Sequence, residues 1–474
     1  MGVRTASEFA AGLRDGREVY YHGRRVTNLA SHRQLGVAFR HAAIDFGVGH
    51  NPRHRPLAVE ERGEGAPYSA FYRVPRSSEH LLRRSKLIEL CTELGGTLVT
   101  LIKEIGTDAT FALMRVLAAD GNQQGLDRLD EFYRECRDGD LALAVAQTDV
   151  KGDRSLRPGQ QDDPDLYLRI VDRDGLGITV RGAKAHTSCA AYVDRLIVLP
   201  SRSMASSEAD WSFAFWLPLA TPGLRLYASD FLDGASDSFR HPVSSRHRMI
   251  ETLTVFDDVR IPWSQVFFVD RPDLASASAL AFVEFHRFTA VSYKLPLLDA
   301  LVGAAILAAE ANGIGLAPHV RDKITWLSGY AETVRALVEM AALRGRLEQG
   351  IALPDPFTTN LAKWTFARDL HQALQMVQDI AGGLVVTGPS GADWKSDQVR
   401  PALEKYLKGA LPAVDRLAIL NLVGDLTTGT FGGYQSVLAI HAEGSIEAEK
   451  IAMHRSYVSD RAVGLARRLA GLSQ

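Results

Sequence analysis

The densest polar run of this chain is Gln147-Thr148-Asp149-Val150-Lys151-Gly152-Asp153-Arg154-Ser155. A glycine flanked by lysine, aspartate and arginine suits a tight turn whose amides and cations hold a phosphate or the edge of a flavin ring. The same composition also makes a solvated charged turn. A second stretch is Arg181-Gly182-Ala183-Lys184-Ala185-His186-Thr187-Ser188-Cys189. Its small residues allow close approach of a backbone or ligand, and Lys184, His186 and Thr187 supply donors. The alternative is a bulged strand with satisfied polar side chains. In the third, Phe285-His286-Arg287 precedes Tyr293-Lys294. Helical spacing puts His286, Thr289 or Ala290, and Tyr293 on one face, where an imidazole is a candidate acid, base or orienting group. Two glycine-rich breaks, residues 381–390 and 428–434, lack the spacing of a P-loop or G-x-G-x-x-G turn. They read as helix ends, with or without a cofactor against them. Neither a G-x-S-x-G elbow nor an H-E-x-x-H zinc motif is present.

These stretches need elements to hold them. Ser7 to Leu13 has helical spacing and breaks at Asp15-Gly16, and residues 19–26 read as a hairpin with His22-Gly23 in the turn. Over residues 81–116 apolar positions recur at three and four, giving one amphipathic helix or two. From about Leu141 to Asp270 come short strand-type runs at 166–171, 178–183, 195–200 and 211–218, then a strand pair around a turn at 252–262. Strands at this spacing without intervening helices predict an antiparallel barrel or sandwich. Helical spacing returns near Leu274, with a nearly all-apolar helix opening at Leu297, then 320–347, 357–381 and at least one more in 401–428. Four apolar-striped helices suggest a bundle. The expectation is an α+β, mainly α chain: a helical domain over 1–140, a β domain over 141–273 and a helix bundle over 274–474.

Composition bounds the function. The 474 residues hold 54 Lys+Arg and 56 Asp+Glu, a net charge of -2. That balance argues against a nucleic-acid binder. No uninterrupted apolar run approaches ~20 residues, so a spanning helix is not expected. Cys91, Cys136 and Cys189 are scattered, which excludes a disulfide scaffold and a cysteine-only metal site. The first residues carry no long apolar core and do not read as a secretory signal. A cytoplasmic enzyme with no metal site is expected.

With these residues in view, the chain resembles along its full length the flavoprotein family of the two-component 4-hydroxyphenylacetate 3-monooxygenases and 4-hydroxybutyryl-CoA dehydratase. The likeness begins at Leu13-Arg14-Asp15-Gly16-Arg17-Glu18-Val19-Tyr20. It is most specific in Thr148-Asp149-Val150-Lys151-Gly152-Asp153-Arg154-Ser155 and Arg181-Gly182-Ala183-Lys184-Ala185-His186-Thr187. It continues through Phe285-His286-Arg287 and Asp379-Ile380-Ala381-Gly382-Gly383 to His441-Ala442-Glu443-Gly444-Ser445, and these stretches are nearer to the dehydratase branch. The resemblance implies the fold of acyl-CoA dehydrogenases: an N-terminal helical domain, a central antiparallel β-barrel and a C-terminal four-helix bundle. FAD would lie in the groove between barrel and bundle. Its implied contacts are Thr148, Lys151, Gly152, Asp153, Arg154 and Thr187, with Thr430, Phe431, Gly432 and Gly433 from a C-terminal loop. A homotetramer or homodimer is implied as well.

The departures narrow the chemistry. The dehydratase branch holds a [4Fe–4S] cluster on three cysteines and a histidine. His286 stands at the histidine position, but Thr100, Glu104 and Tyr293 stand at the cysteine positions. One imidazole cannot hold a cluster that needs thiolates, so none is expected. The branch's C-terminal catalytic glutamate falls at Leu438, whereas Glu251 and Lys294 match a Glu and a Lys. The hydroxylases' R-S-P-D-Y stretch, which holds the phenolate, reads Ile105-Gly106-Thr107-Asp108-Ala109, and their substrate histidine falls at Val145. The resemblance therefore implies a flavin platform with a rebuilt pocket, its candidate catalytic groups being His286, Tyr293, Lys294 and Glu251. The expected activity is a flavin-dependent monooxygenase acting on an aromatic or natural-product intermediate of secondary metabolism, larger or less phenolic than hydroxyphenylacetate. Reduced FAD would come from a separate reductase, because no NAD(P)H fingerprint is present. The alternatives are a redox-neutral isomerase, cyclase or dehydratase-like catalyst, and a binding protein that has lost its chemistry.

Overall fold

A computed structural model describes residues 2–63, 65–229 and 237–472. Helix α1 (Ala6–Gly12) starts at a capping box in which the Thr5 side chain accepts from the Glu8 amide and Glu8 reaches back to the Thr5 amide. The expected hairpin follows as β1 (Glu18–Tyr21) and β2 (Arg24–Val26), turning through His22 and Gly23, both in the left-handed region. The three-and-four apolar spacing resolves into two 17-residue helices, α2 (Ser78–Leu94) and α3 (Glu104–Asp120). A further helix, α4 (Gln123–Asp138), follows a turn at Gly121 and packs on α3.

The β region is β3 (Leu143–Ala146), β4 (Arg169–Asp174), β5 (Gly177–Lys184), β6 (Arg195–Val198), β7 (Ala214–Pro218), β8 (Leu224–Ser229), β9 (Glu251–Pro262) and β10 (Val266–Phe268). These strands form no closed barrel among the described residues. One sheet has six strands in the order β2-β1-β8-β9-β5-β4 and the other four in the order β10-β7-β6-β3. The sheets face each other, with Phe215 of β7 edge-on to Phe256 of β9 at 6.4 Å. The expectation of antiparallel pairing also needs correction, because β1 runs parallel to β8 and β3 parallel to β6. The first of these comes from the N-terminal hairpin, which arrives from outside the β region and pairs along β8; the second joins strands whose connection passes through β4 and β5 of the other sheet. Residues 252–262 are not a strand pair around a turn. They belong to the single twelve-residue strand β9, whose pairing with β5 shifts between Phe256 and Val259, at left-handed Asp258.

The apolar helix begins far earlier than Leu297. Helix α5 runs from Pro272 to Ala311, 40 residues with Pro296 inside, so His286, Tyr293 and Lys294 share one rod. It is long and apolar enough to cross a membrane, but 67% of its most apolar window is buried in the protein, as expected of a core helix. Against it pack α6 (Pro318–Leu343), α7 (Pro356–Ala381) and α8 (Ala413–Thr427), together with α2 and α3 from the N-terminal part. Helix α9 (Thr430–His441) starts inside the second glycine-rich stretch, which is thus a helix start as well as a break. Two more helices, α10 (Ile446–Ser456) and α11 (Asp460–Leu469), complete the described chain, and α10 lies on α7.

Candidate functional site

Helix α5 carries the centre of the site at two levels along its length. At one, His286 Nδ1 lies 3.1 Å from Asp108 Oδ2 and Thr289 Oγ1 donates to Asp108 Oδ1 at 3.0 Å. Asp108 belongs to α3 and is buried. Arg84 of α2 donates to the same Oδ1 at 2.7 Å and to the carbonyl of Glu104 at 3.0 Å. A carboxylate only accepts, so Nδ1 of His286 carries a proton and its Nε2 is left for another partner. The Phe282 ring stacks on the imidazole at 5.0 Å and sets its plane.

Two turns further along, Tyr293 Oη donates to Glu443 Oε1. Lys294 Nζ donates to Glu443 Oε2 at 3.2 Å and stands 4.5 Å from the Tyr293 ring centroid. Lys363 of α7 approaches the same carboxylate at 3.9 Å and pairs with Glu449 of α10. Burial opposes ionisation of Glu443, but Lys294 and Lys363 together outweigh it and hold the carboxyl below its usual value. Burial pushes Lys294 down to about 8, a shift that the Glu443 charge partly offsets. Burial, then Glu443, raise the Tyr293 phenol well above its ordinary value; Glu251 and Asp108 add to the rise.

Glu251, the first residue of β9, accepts from Tyr434 Oη of α9 at 2.8 Å and from Ser188 Oγ at 2.9 and 3.0 Å. Burial raises its carboxyl above the usual range against the lowering effect of those two hydroxyls. The next strand residues anchor Thr187: Thr252 and Thr187 exchange backbone hydrogen bonds, and Thr254 Oγ1 donates to Thr187 Oγ1 at 3.0 Å. The four predicted catalytic residues therefore form one electrostatic neighbourhood, since the Tyr293 phenol responds to both Glu251 and Asp108 and the Glu443 carboxyl to His286.

The predicted flavin residues divide. Thr148 accepts from the Ala185 amide at 2.9 Å, next to the buried Lys184–Asp149 pair at 2.5 Å. That pair gives Lys184 a structural role. Lys151 and Gly152 are both left-handed, and Gln161 secures the turn by accepting from the Asp153 amide at 3.0 Å. The exposed Asp153 carboxylate caps Ser155 at 2.9 Å. Among the described residues, the side chains of Lys151 and Arg154 have neither hydrogen bond nor ion pair, and Arg154 is exposed. Two uncompensated cations on a sharp loop fit the diphosphate of FAD. At the start of α9, Thr430 and Gly433 are exposed while Phe431 and Gly432 are buried, Gly432 so tightly that a Cβ would lie 2.5 Å from the Leu426 carbonyl oxygen. No hydrogen bond or ion pair among the described residues joins the Lys151–Arg154 turn to the His286 or Tyr293 groups.

Asp108, Glu443, Ser188 and Tyr434 were not singled out as site residues. Asp108 and Glu443 lie within stretches noted in the sequence, but only the packing of α3 on α5 and the return of the chain after α9 reveal their partners. At the cluster-cysteine positions, Thr100 Oγ1 lies 2.7 Å from Asp45 Oδ1 and 3.0 Å from Glu104 Oε1. Burial raises both carboxyls, and Asp45 rises further beside the Glu104 charge.

The chain is similar to known proteins along nearly its full length. Residues 5–268 match the family described as 4-hydroxyphenylacetate 3-hydroxylase N terminal, and residues 275–471 the corresponding C terminal. The chain is 29% identical over 444 residues to the 4-hydroxyphenylacetate 3-monooxygenase oxygenase component of Thermus thermophilus, covering 92% of this chain and 90% of that protein. It is 27% identical over 492 residues to the 4-hydroxybutyryl-CoA dehydratase/vinylacetyl-CoA-Delta-isomerase of Clostridium aminobutyricum, covering 99% and 100%. Among solved structures, an oxygenase component of 4-hydroxyphenylacetate 3-monooxygenase complexed with FAD superposes with a TM-score of 0.92 at 26% identity, over 98% of each chain. A glutaryl-coenzyme A dehydrogenase, 14% identical with a TM-score of 0.50 over 81% of this chain and 80% of that one, shares the fold alone.

Proposed function

We propose, from the premise that the chain belongs to the 4-hydroxyphenylacetate 3-hydroxylase family, that it is the oxygenase component of a two-component, FAD-dependent monooxygenase. A separate reductase supplies the reduced flavin, and the substrate is a small aromatic compound. Its three-part division at 140 and 273, its placement in the cytoplasm with three free thiols, and its assembly as a homotetramer or homodimer belong to the same reading. Exposed Leu465 and Leu469 on α11, which buries no residue, support assembly.

The residues divide the work. Lys151 and Arg154 hold the FAD diphosphate; Thr187 and the Thr430–Gly433 turn, with Gly152 and Asp153 shaping the first loop, hold the rest. FAD, when bound and reduced, supplies the activation of O₂. Asp108 keeps the proton on Nδ1 of His286, so Nε2 accepts the proton of a substrate hydroxyl as oxygen is transferred. Lys294 donates a hydrogen bond to the oxygen that becomes negative, while Tyr293 holds the Glu443 carboxylate beside it. Glu251, held by Ser188 and Tyr434, exchanges a proton on the strand side. The observation that carries this reading is the Asp108–His286 pair buried beside Tyr293–Lys294 on one helix, in a chain whose two halves both match the oxygenase family.

The test supplies the protein with FAD, an NADH-driven flavin reductase, ¹⁸O₂ and a panel of phenols that includes 4-hydroxyphenylacetate. A hydroxylated product carrying ¹⁸O, formed only with reductase, is expected. A second reading, a redox-neutral lyase or isomerase, is supported by Glu251, His286 and Lys294 standing at dehydratase positions. Anaerobic turnover of a hydroxyacyl thioester with oxidised FAD would favour it over the first.

A further inference from the structure

One hydroxyl lies between two carboxyl groups at the start of α3. Thr100 Oγ1 is 2.7 Å from Asp45 Oδ1 and 3.0 Å from Glu104 Oε1, and all three residues are buried. A threonine hydroxyl has one proton to donate, and an ionised carboxylate has none. Were both carboxyls ionised, one of the two contacts would set oxygen against oxygen with no proton between. One of them is therefore an acid. Glu104 opens α3, where negative charge meets the positive end of the helix dipole, and its Oε2 accepts from the Lys103 amide at 3.1 Å. Asp45 stands in the short helix Ile44–Gly47, and its Oδ2 is buried with no N–H or O–H donor among the described residues. The cations nearby are committed to other partners, Lys103 to Asp140 at 2.6 Å and Arg84 to Asp108 at 2.7 Å. The remaining titratable groups around the pair are the Cys91 and Cys189 thiols, which burial pushes well above their ordinary value, so they bring no charge. Burial also lifts Asp45 well above its ordinary range, and the Glu104 charge lifts it further. Arg84 Nη2 joins this cluster to the site, since it donates to the Glu104 carbonyl at 3.0 Å and to the Asp108 carboxylate one turn later at 2.7 Å.

We propose that Asp45 is held as a neutral carboxylic acid that donates through Thr100 to the Glu104 carboxylate, and that this one proton seats the first turn of α3 and with it the Asp108 that orients His286. Asp45 is thus a positioning residue. Loss of its proton leaves two buried carboxylates on one hydroxyl, and the first turn of α3 must then shift to separate them. The proton itself is independent of the monooxygenase reading; only its consequence for His286 concerns the same site.

Proton linkage tests this without turnover or flavin. Above the ordinary aspartate value of about 4, the unfolded chain has released a proton that the native chain still holds. The unfolding constant from urea titrations, measured from about pH 5 upward, should therefore rise about tenfold per pH unit relative to Asp45→Asn until Asp45 ionises. Infrared spectra of the native protein should show the carbonyl stretch of a protonated carboxyl, absent from Asp45→Asn. In Glu104→Gln the Thr100 hydroxyl is free to donate to an ionised Asp45, so the slope and the band should both disappear. A wild-type slope no different from that of Asp45→Asn overturns the acid. A band that survives Glu104→Gln overturns the sharing, because burial alone then holds the proton. Should Glu104→Gln not fold, Glu104→Ser, which suits a helix start, takes its place in both readouts. Amide exchange across residues 104–108 should accelerate with pH in the wild-type chain relative to Asp45→Asn, a comparison at equal pH that cancels hydroxide catalysis; a ratio constant across pH refutes the seating of α3.

Discussion

Single residues here act through what holds them. His286 is useful because Asp108 fixes its Nδ1 proton and Phe282 its plane. Replacing His286 by Asn should lower kcat/KM on the order of 10²–10⁴-fold, the usual range for a positioned acid or base, with FAD affinity unchanged. Steady-state kinetics alongside a flavin titration would check both halves. Lys294 gives a pH prediction. Its folded value of about 8 lies below the ordinary 10.5. Between these values the unfolded chain holds the proton more tightly, so this group's contribution to stability increases as pH rises from about 8 toward 10.5 and is unfavourable below. The activity profile should show a limb near pH 8 that Lys294→Met removes. Of these residues the sequence exposed His286, Tyr293 and Lys294 through their types and spacing, and Glu251 through the family resemblance alone. It could not expose Asp108 or Glu443 as their partners, because each lies more than a hundred residues away along the chain.

The elements place those residues by close backbone contact. Helix α3 brings Asp108 to the site only because it can lie directly on β3: Gly106 has no side chain, and a Cβ there would sit 2.1 Å from Leu143 Cβ. The contact is further tied by the Leu143 amide donating to the Ile102 carbonyl at 2.6 Å. Gly106→Ala should therefore cost about 1–3 kcal/mol as an overpacked contact. The urea midpoint should fall at constant slope, with a loss of activity in the folded fraction as Asp108 moves off His286. Element type was readable where pattern and punctuation agreed, as in the Thr5–Glu8 capping box and the His22-Gly23 turn. It was not readable where tertiary packing overrode them. The bulge at Asp258 looks like a turn in sequence, yet hydrogen bonds to β5 on both sides keep β9 continuous. Helix α5 looked shorter than it is, since its first 25 residues carry polar groups that only buried partners make acceptable in a core helix.

At the scale of the whole molecule, the two sheets present the cation-bearing Lys151–Arg154 turn and the helices present the acid–base groups. Binding FAD should stabilise the fold by mass action, by ~2.7 kcal/mol at a free concentration of 100 times Kd. Arg154→Ala should raise that Kd by roughly tenfold, about 1.4 kcal/mol, which flavin fluorescence titration and a thermal-shift series can measure. The linear chain by itself determined the succession of helical, β and helical segments, the near-neutral charge, the scattered cysteines, and the residue types able to meet a flavin and a proton. These follow from periodicity and composition, which are local. Tertiary structure alone decided that the sheets stay open with the N-terminal hairpin as an edge, that Asp108 orients His286, and that Glu443 neutralises Lys294 and Lys363. Those outcomes depend on which distant groups share a buried volume, and there the energy of an unpaired charge selects the partner that a one-dimensional pattern does not contain.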